Sequence, residues 1–249
     1  ATLGPGEIFG EMSLFYNIKK SATIKATSEK LRVGILSRNG LERLFKGGKP
    51  YAHDLFYRLF NILPNRLRNL NDKYKTAIRT LHLIFEGDEK EIPILDHLHM
   101  EIKREKSDLM PVLSQDETEK IYQEIRTYET GRHIFEEGDQ GDGAYFLIEG
   151  KVKVVGLSRN YNEILLGELG EGEIFGEMSL IDDKPRSATV VALTRVKAAF
   201  IRRKAFNEFI EARSELAFRL IGFICLTLFR HILRLDRLYS DIKKKIRTT

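Results

Sequence analysis

The chain has one cysteine in 249 residues, Cys225, and it lies inside an apolar run. No intrachain disulfide can form, which fits a reducing compartment. Long hydrophobic runs are missing too. The best candidate, Leu220–Phe229, is closed by Arg219 and Arg230 and falls well short of the ~20 residues a membrane span needs. No signal-peptide pattern opens the sequence, so a cytoplasmic protein is expected. Enzyme signatures are equally scarce. There is no Gly-x-Ser-x-Gly, no P-loop and no isolated carboxylate pair, so no catalytic residue and no enzyme is expected. His97-x-His99 has no further His or Cys at metal-ligand spacing, which leaves neither metal nor cofactor to expect.

What is present suits a globular protein with a proper core: 42% hydrophobic and 31% charged residues, in a length that holds one large or two ordinary domains. The formal charge of +5 is unevenly placed. From Val196 onward thirteen Lys and Arg face five Asp and Glu, so this tail is net +8. Such a tail suits the wet face of a helix, nucleic acid or an acidic partner.

A repeat organises the rest. Leu3-Gly-Pro-Gly-Glu-Ile-Phe-Gly-Glu-Met-Ser-Leu14 recurs as Leu169-Gly-Glu-Gly-Glu-Ile-Phe-Gly-Glu-Met-Ser-Leu180, at an offset of 166. Ser21-Ala22-Thr23 aligns with Ser187-Ala188-Thr189, and Tyr74 with Tyr239 at an offset of 165. The period is that of a domain, so two copies of one module are expected.

Ahead of the second motif come short strand-like segments, Arg132–Phe135, Ala144–Ile148, Lys151–Val155 and Glu163–Leu169, separated by Gly/Asp turns. Strands at Ser187–Ala192 and Arg195–Ile201 follow, and then helix. The expected fold is α+β: an antiparallel, jelly-roll-like β-roll or barrel with flanking helices and a long C-terminal helix. Ahead of the first motif stand two residues, so copy one is truncated at its N-terminus, as in a fragment of a longer protein. The expected domains are a partial copy at 1–80, a partly helical connection at 81–112 and a complete copy at 113–249. Within the last, a capping box at Ser114 and Glu117 predicts a helix toward Ile125.

The terminal helix carries an apolar stripe at Ile221, Ile224, Leu228, Ile232, Leu235, Tyr239, Ile242 and Ile246, of coiled-coil type. Copy one repeats it at Phe56, Leu59, Leu63, Leu67, Leu70 and Tyr74, with a kink expected at Pro64. Each stripe can pack on its own barrel, or the second can run on and pair with another helix.

The chemistry concentrates in Gly172–Val190. A strand reaches Phe175, Gly176 permits a tight turn, and Glu177–Ile181 can form one helical turn with free N–H groups at its start. Arg186, set by Pro185, offers a planar fork to a phosphate, and Ser187 adds a hydroxyl. Glu177 would repel that anion, so it needs another partner, and a ribose hydroxyl supplies one. The residues describe a ligand with one anionic phosphate and a free sugar hydroxyl.

This stretch resembles the phosphate-binding cassette of cyclic-nucleotide-binding domains, as in catabolite activator proteins and protein kinase A regulatory subunits. Glu137-Gly-Asp-Gln-Gly-Asp and Tyr145-Phe-Leu-Ile-Glu-Gly-Lys-Val-Lys-Val resemble the family's barrel hairpins. The likeness covers Val112–Thr249 in full and Ala1–Ile78 as a barrel-poor remnant. It implies that Arg186 holds the cyclic phosphate with Ser187 assisting. Glu177 would accept from the ribose 2′-OH, and Gly176, Met178 and Ser179 would offer backbone groups. The terminal helix would cover the base around His231 to Arg234. It implies cAMP ahead of cGMP, threonine at position 187 being associated with cGMP in the family. In copy one Gly10 and Glu11 are kept, but Lys19-Lys20 replaces Pro-Arg ahead of Ser21, and lysine lacks the planar fork, so this copy is a degenerate site.

The leading expectation is a sensor in which nucleotide binding moves the C-terminal helix, with a protein partner or homodimer formed through that helix. The alternative is an assembly module of the same fold that no longer binds nucleotide. A DNA-binding regulator ranks behind both, because the chain stops at Ile246-Arg-Thr-Thr without a helix-turn-helix, so no sequence-specific nucleic-acid contact is expected.

Overall fold

The computed structural model describes residues 2–10, 23–37, 39–40, 43–44, 50–84, 116, 119–122, 124–157, 163–182, 184–211 and 214–248. The proposed connection beyond Ile84, both residues of the proposed capping box, and Glu11, Lys20 and Ser21 lie outside them.

Alternating segments become strands where one face can be buried. They are β1 (Glu124–Tyr128), β2 (His133–Phe135), β3 (Gly143–Glu149), β4 (Lys151–Leu157), β5 (Glu163–Gly170), β6 (Ile174–Phe175), β7 (Thr189–Ala192) and β8 (Val196–Arg202). They form two four-stranded antiparallel sheets, ordered β1-β8-β3-β6 and β2-β7-β4-β5. Between them lies a core that includes Leu147, Val152, Val190, Val196 and Phe200. Tyr145 fixes its aromatic centre, stacked on Phe175 at 5.1 Å and tilted against Phe200 at 4.8 Å between centroids.

β1 corrects the sequence reading, which carried a helix as far as Ile125. Glu124–Tyr128 pairs antiparallel with β8 at the edge of its sheet. Polar residues take the half-buried positions there: Arg126 stacks over Phe200 at 3.6 Å and donates to the Tyr145 hydroxyl at 2.8 Å, while Ile125 faces out. Charge on an edge strand discourages pairing with a foreign strand, and it also hides the hydrophobic alternation by which strands are recognised.

Among the described residues, helices with defined bounds accompany the sheets: α1 (Pro50–Ile84), α2 (Met178–Ile181), α3 (Arg203–Glu211) and α4 (Glu215–Thr248). α1 and α4 pack together along their apolar stripes. Leu63, Leu67, Tyr74 and Ile78 share one core with Ile224, Leu228, Leu235 and Ile242. The stripe of α4, which the sequence offered equally to its own barrel or to another helix, is thus met by a helix of the same chain. α1 is one continuous helix through Pro64. Proline in a helix interior costs ~3 kcal/mol, but each fully buried Leu or Ile contributes about 1.5–3 kcal/mol. Leu63, Ile78, Ile224 and Leu228, each at most 1% exposed, outweigh it.

Cys225 is fully buried on α4, and burial pushes its thiol pKa far up. A colorimetric thiol reagent is therefore expected to leave the native protein unlabelled and to react once denaturant unfolds it. Labelling within minutes under native conditions would contradict this packing.

Candidate functional site

Over its described residues, the repeated motif carries matching positive-φ glycines in both copies. Gly6 and Gly172 have φ of 83° and 81°, and Gly10 and Gly176 have 72° and 69°. Around the second copy, β6 ends at Phe175, Gly176 turns the chain, and α2 closes one short turn. The Ser179 N–H donates to the Gly176 carbonyl at 3.2 Å and the Leu180 N–H to that of Glu177 at 3.0 Å. The Ser179 backbone donor, which the sequence reading offered to a ligand, is used inside the turn, and its hydroxyl serves the site instead.

Arg186 is the centre of this arrangement and only 5% exposed. Two backbone hydrogen bonds clamp its segment to the 138–142 loop, Gly138 N–H to Arg186 O at 2.9 Å and Arg186 N–H to Asp139 O at 2.8 Å. Nη1 donates to Gly143 O at 2.8 Å, Gly176 O at 3.0 Å and the Ser179 hydroxyl at 2.9 Å. Nη2 donates to Asp142 at 3.2 Å, and the guanidinium lies 4.1 Å from the Phe135 ring centroid. Nε is buried without a hydrogen-bond partner. Burial lowers the Arg186 pKa, against the nearby Tyr145, Asp142 and Glu177, which raise it. A guanidinium remains protonated in proteins, so the site holds a fixed positive charge whose Nε–H is unused. That is what an oxyanion requires.

The other predicted residues gather around the same cavity, which measures about 90 Å³. Gly176, Glu177, Met178, Ser179, Arg186 and Ser187 line it from the cassette, and His231 and Arg234 from α4. Glu177 is 4% exposed, with its carboxylate 3.8 Å from His231 Nδ1. The Ser187 hydroxyl contacts the Met178 thioether at 3.5 Å, a weak acceptor that a better one can replace. Of the first copy, Gly10 is exposed and is not among the residues that line the cavity.

Sequence reasoning missed one whole wall. Leu67, Arg68 and Asn71 of α1 line the cavity, so a helix from the first half reaches into the site of the second. Arg68 grips Asp182 with Nη2 at 2.9 Å and Nε at 3.3 Å, and gives Nη1 to Pro185 O at 2.8 Å. Lys184 reaches Asn65 at 2.6 Å, and Lys75 pairs with Glu137 at 2.6 Å. One signal was legible: Asn71 stands four residues after Leu67, a polar residue on an apolar helical face.

A family model described as the cyclic nucleotide-binding domain matches residues 125–213. The cAMP-dependent protein kinase regulatory subunit of Aspergillus fumigatus is 28% identical over 212 residues, 83% of this chain and 39% of its own length. The CRP-like cAMP-activated global transcriptional regulator of Mycobacterium tuberculosis is 32% identical over 117 residues, 47% of this chain and 52% of its own. Human cGMP-dependent protein kinase 2 is 26% identical over 220 residues, 87% of this chain and 23% of its own. The chain thus spans well under two thirds of the length of each of these relatives. It contains one cyclic nucleotide-binding domain, homologous to theirs.

Proposed function

We propose that this chain is a cyclic-nucleotide sensor, with cAMP ahead of cGMP, and that the Arg186 site is where the nucleotide binds. The observation that carries the reading is the buried Arg186 guanidinium, with its Nε unpaired, in a residue that lines one cavity with Glu177 and residues of α4. Arg186 takes the cyclic phosphate, with the Ser187 hydroxyl assisting. Glu177 accepts from the ribose 2′-OH, Gly176, Met178 and Ser179 shape the wall, and His231 and Arg234 lie on the base side. Because α4 supplies part of that wall, filling the cavity moves α4, and that movement is the output. The whole is a regulatory module rather than an enzyme.

In this reading residues 113–249 are the complete domain, and 1–80 are a second, incomplete copy joined through 81–112. The matched glycine angles of the two motifs support a common origin for the halves.

The test is calorimetric titration of the chain with cAMP and with cGMP, followed by hydrogen exchange of α4. Micromolar or tighter binding with altered exchange in α4 is expected. Binding without any change in α4 would remove the output mechanism.

A second reading, an assembly module with the same fold, draws on one specific observation. The cavity of about 90 Å³ is well below the ~300–1,000 Å³ of ordinary ligand clefts. A well-folded chain that titrates neither nucleotide would favour it.

A further inference from the structure

The polar group left unexplained at this site is Asn71. It is 5% exposed, its Oδ1 has no hydrogen-bond partner, and it lines the cavity from α1. Its neighbours are differently placed. Arg68, one turn earlier, is fully engaged on Asp182 and Pro185, and Lys75, one turn later, on Glu137. A buried acceptor without a donor is rare in a folded protein, and here it belongs to a residue that lines the cavity.

A carboxamide sets an acceptor beside a donor. That pattern pairs with one purine edge: Oδ1 accepts from the adenine 6-amino group while Nδ2 donates to N7. Guanine presents two acceptors there, O6 and N7, so Oδ1 would face an oxygen lone pair. The other charged neighbours cannot make this choice, since Arg68 and Arg234 only donate. With the phosphate on Arg186 and the sugar on Glu177, the base is left to the wall formed by α1 and α4. Leu67, Leu166 and Leu235 also line the cavity and can cover the faces of a purine.

We propose that Asn71 reads the adenine edge and sets selectivity for cAMP over cGMP. The inference rests on the sensor reading above. It makes α1, in the first half of the chain, the supplier of base specificity to the Arg186 site.

The experiment is calorimetry of the full chain with three ligands: cAMP, cGMP and purine riboside 3′,5′-cyclic phosphate, which lacks the 6-amino group. Wild-type protein is expected to bind cAMP roughly tenfold or more tightly than either of the others, the discrimination of one good bidentate pair. Asn71→Ala is expected to weaken cAMP by about that factor and to bring all three ligands to similar affinity. If the variant does not fold, as thermal unfolding will report, the wild-type comparison decides alone: equal binding of cAMP and the deamino analogue overturns the proposal. A folded Asn71→Ala protein that keeps its cAMP preference also overturns it, with the sensor reading intact. Failure of wild-type protein to bind any of the three removes the sensor reading and this inference together.

Discussion

Arg186→Ala is expected to abolish binding of cAMP and cGMP by calorimetry, an affinity loss of at least about a hundredfold. Each charge-assisted hydrogen bond to an oxyanion contributes ~1.5–3 kcal/mol, and two are lost together. The same change leaves the Gly143 and Gly176 carbonyls without their guanidinium donor, so thermal unfolding will show a lower midpoint as well. Arg186→Lys separates charge from geometry. It puts in the second motif the residue type that the first carries at Lys20. Lysine keeps the charge but cannot reach Gly143 O, Gly176 O and a phosphate with one planar fork. A loss of tenfold or more is expected. Wild-type affinity in the lysine variant would mean that the phosphate is not held by the fork.

Gly176→Ala is the second large effect, and it acts on Arg186 without touching it. Gly176 has φ of 69°, where an L-residue is strained by roughly 1–2 kcal/mol. A Cβ there would stand 2.6 Å from Arg186 Nη1, a side chain pinned by its bonds to Gly143 O and the Ser179 hydroxyl and unable to swing aside. The expected result is a fall in nucleotide affinity comparable to that of Arg186→Lys, with a lower melting temperature. Gly172→Ala is the control. Its φ of 81° carries similar strain, but nothing lies within 4 Å of the added atom. It should lower stability and leave affinity unchanged. Equal affinity losses in the two variants would indicate general destabilisation instead of displacement of Arg186.

Much of the second half was legible in the sequence for a physical reason. Strands buried on one face alternate, as β4 does in Lys151-Val-Lys-Val, and β3 is a short apolar run between Gly-containing turns. A turn that needs positive φ asks for glycine at one place, so Gly176 announced the cassette, and Arg186 and Glu177 could be read from the chemistry each side chain carries. The first half was not legible in the same way. Its stripe of leucines says that one face of α1 is buried but not against what. That α1 lies on α4 and over the cassette is decided by long-range contacts such as Arg68 with Asp182 and Lys75 with Glu137, none of which leaves a local pattern. β1 was hidden because its half-buried residues are Glu124, Arg126 and Tyr128, polar groups that alternate against the usual sense.

The clasp of α1 across the second half's site has a consequence for when such a sensor would respond. With a cavity of about 90 Å³ and α1 latched at Asp182 and Glu137, the closed arrangement has little room for a nucleotide. In the sensor reading, nucleotide would enter when the clasp opens and be held when α1 closes again over the base. The latch residues would then set how fast the sensor responds: a stronger clasp slows both entry and release, and a weaker one speeds both, with no change in any atom that touches the phosphate.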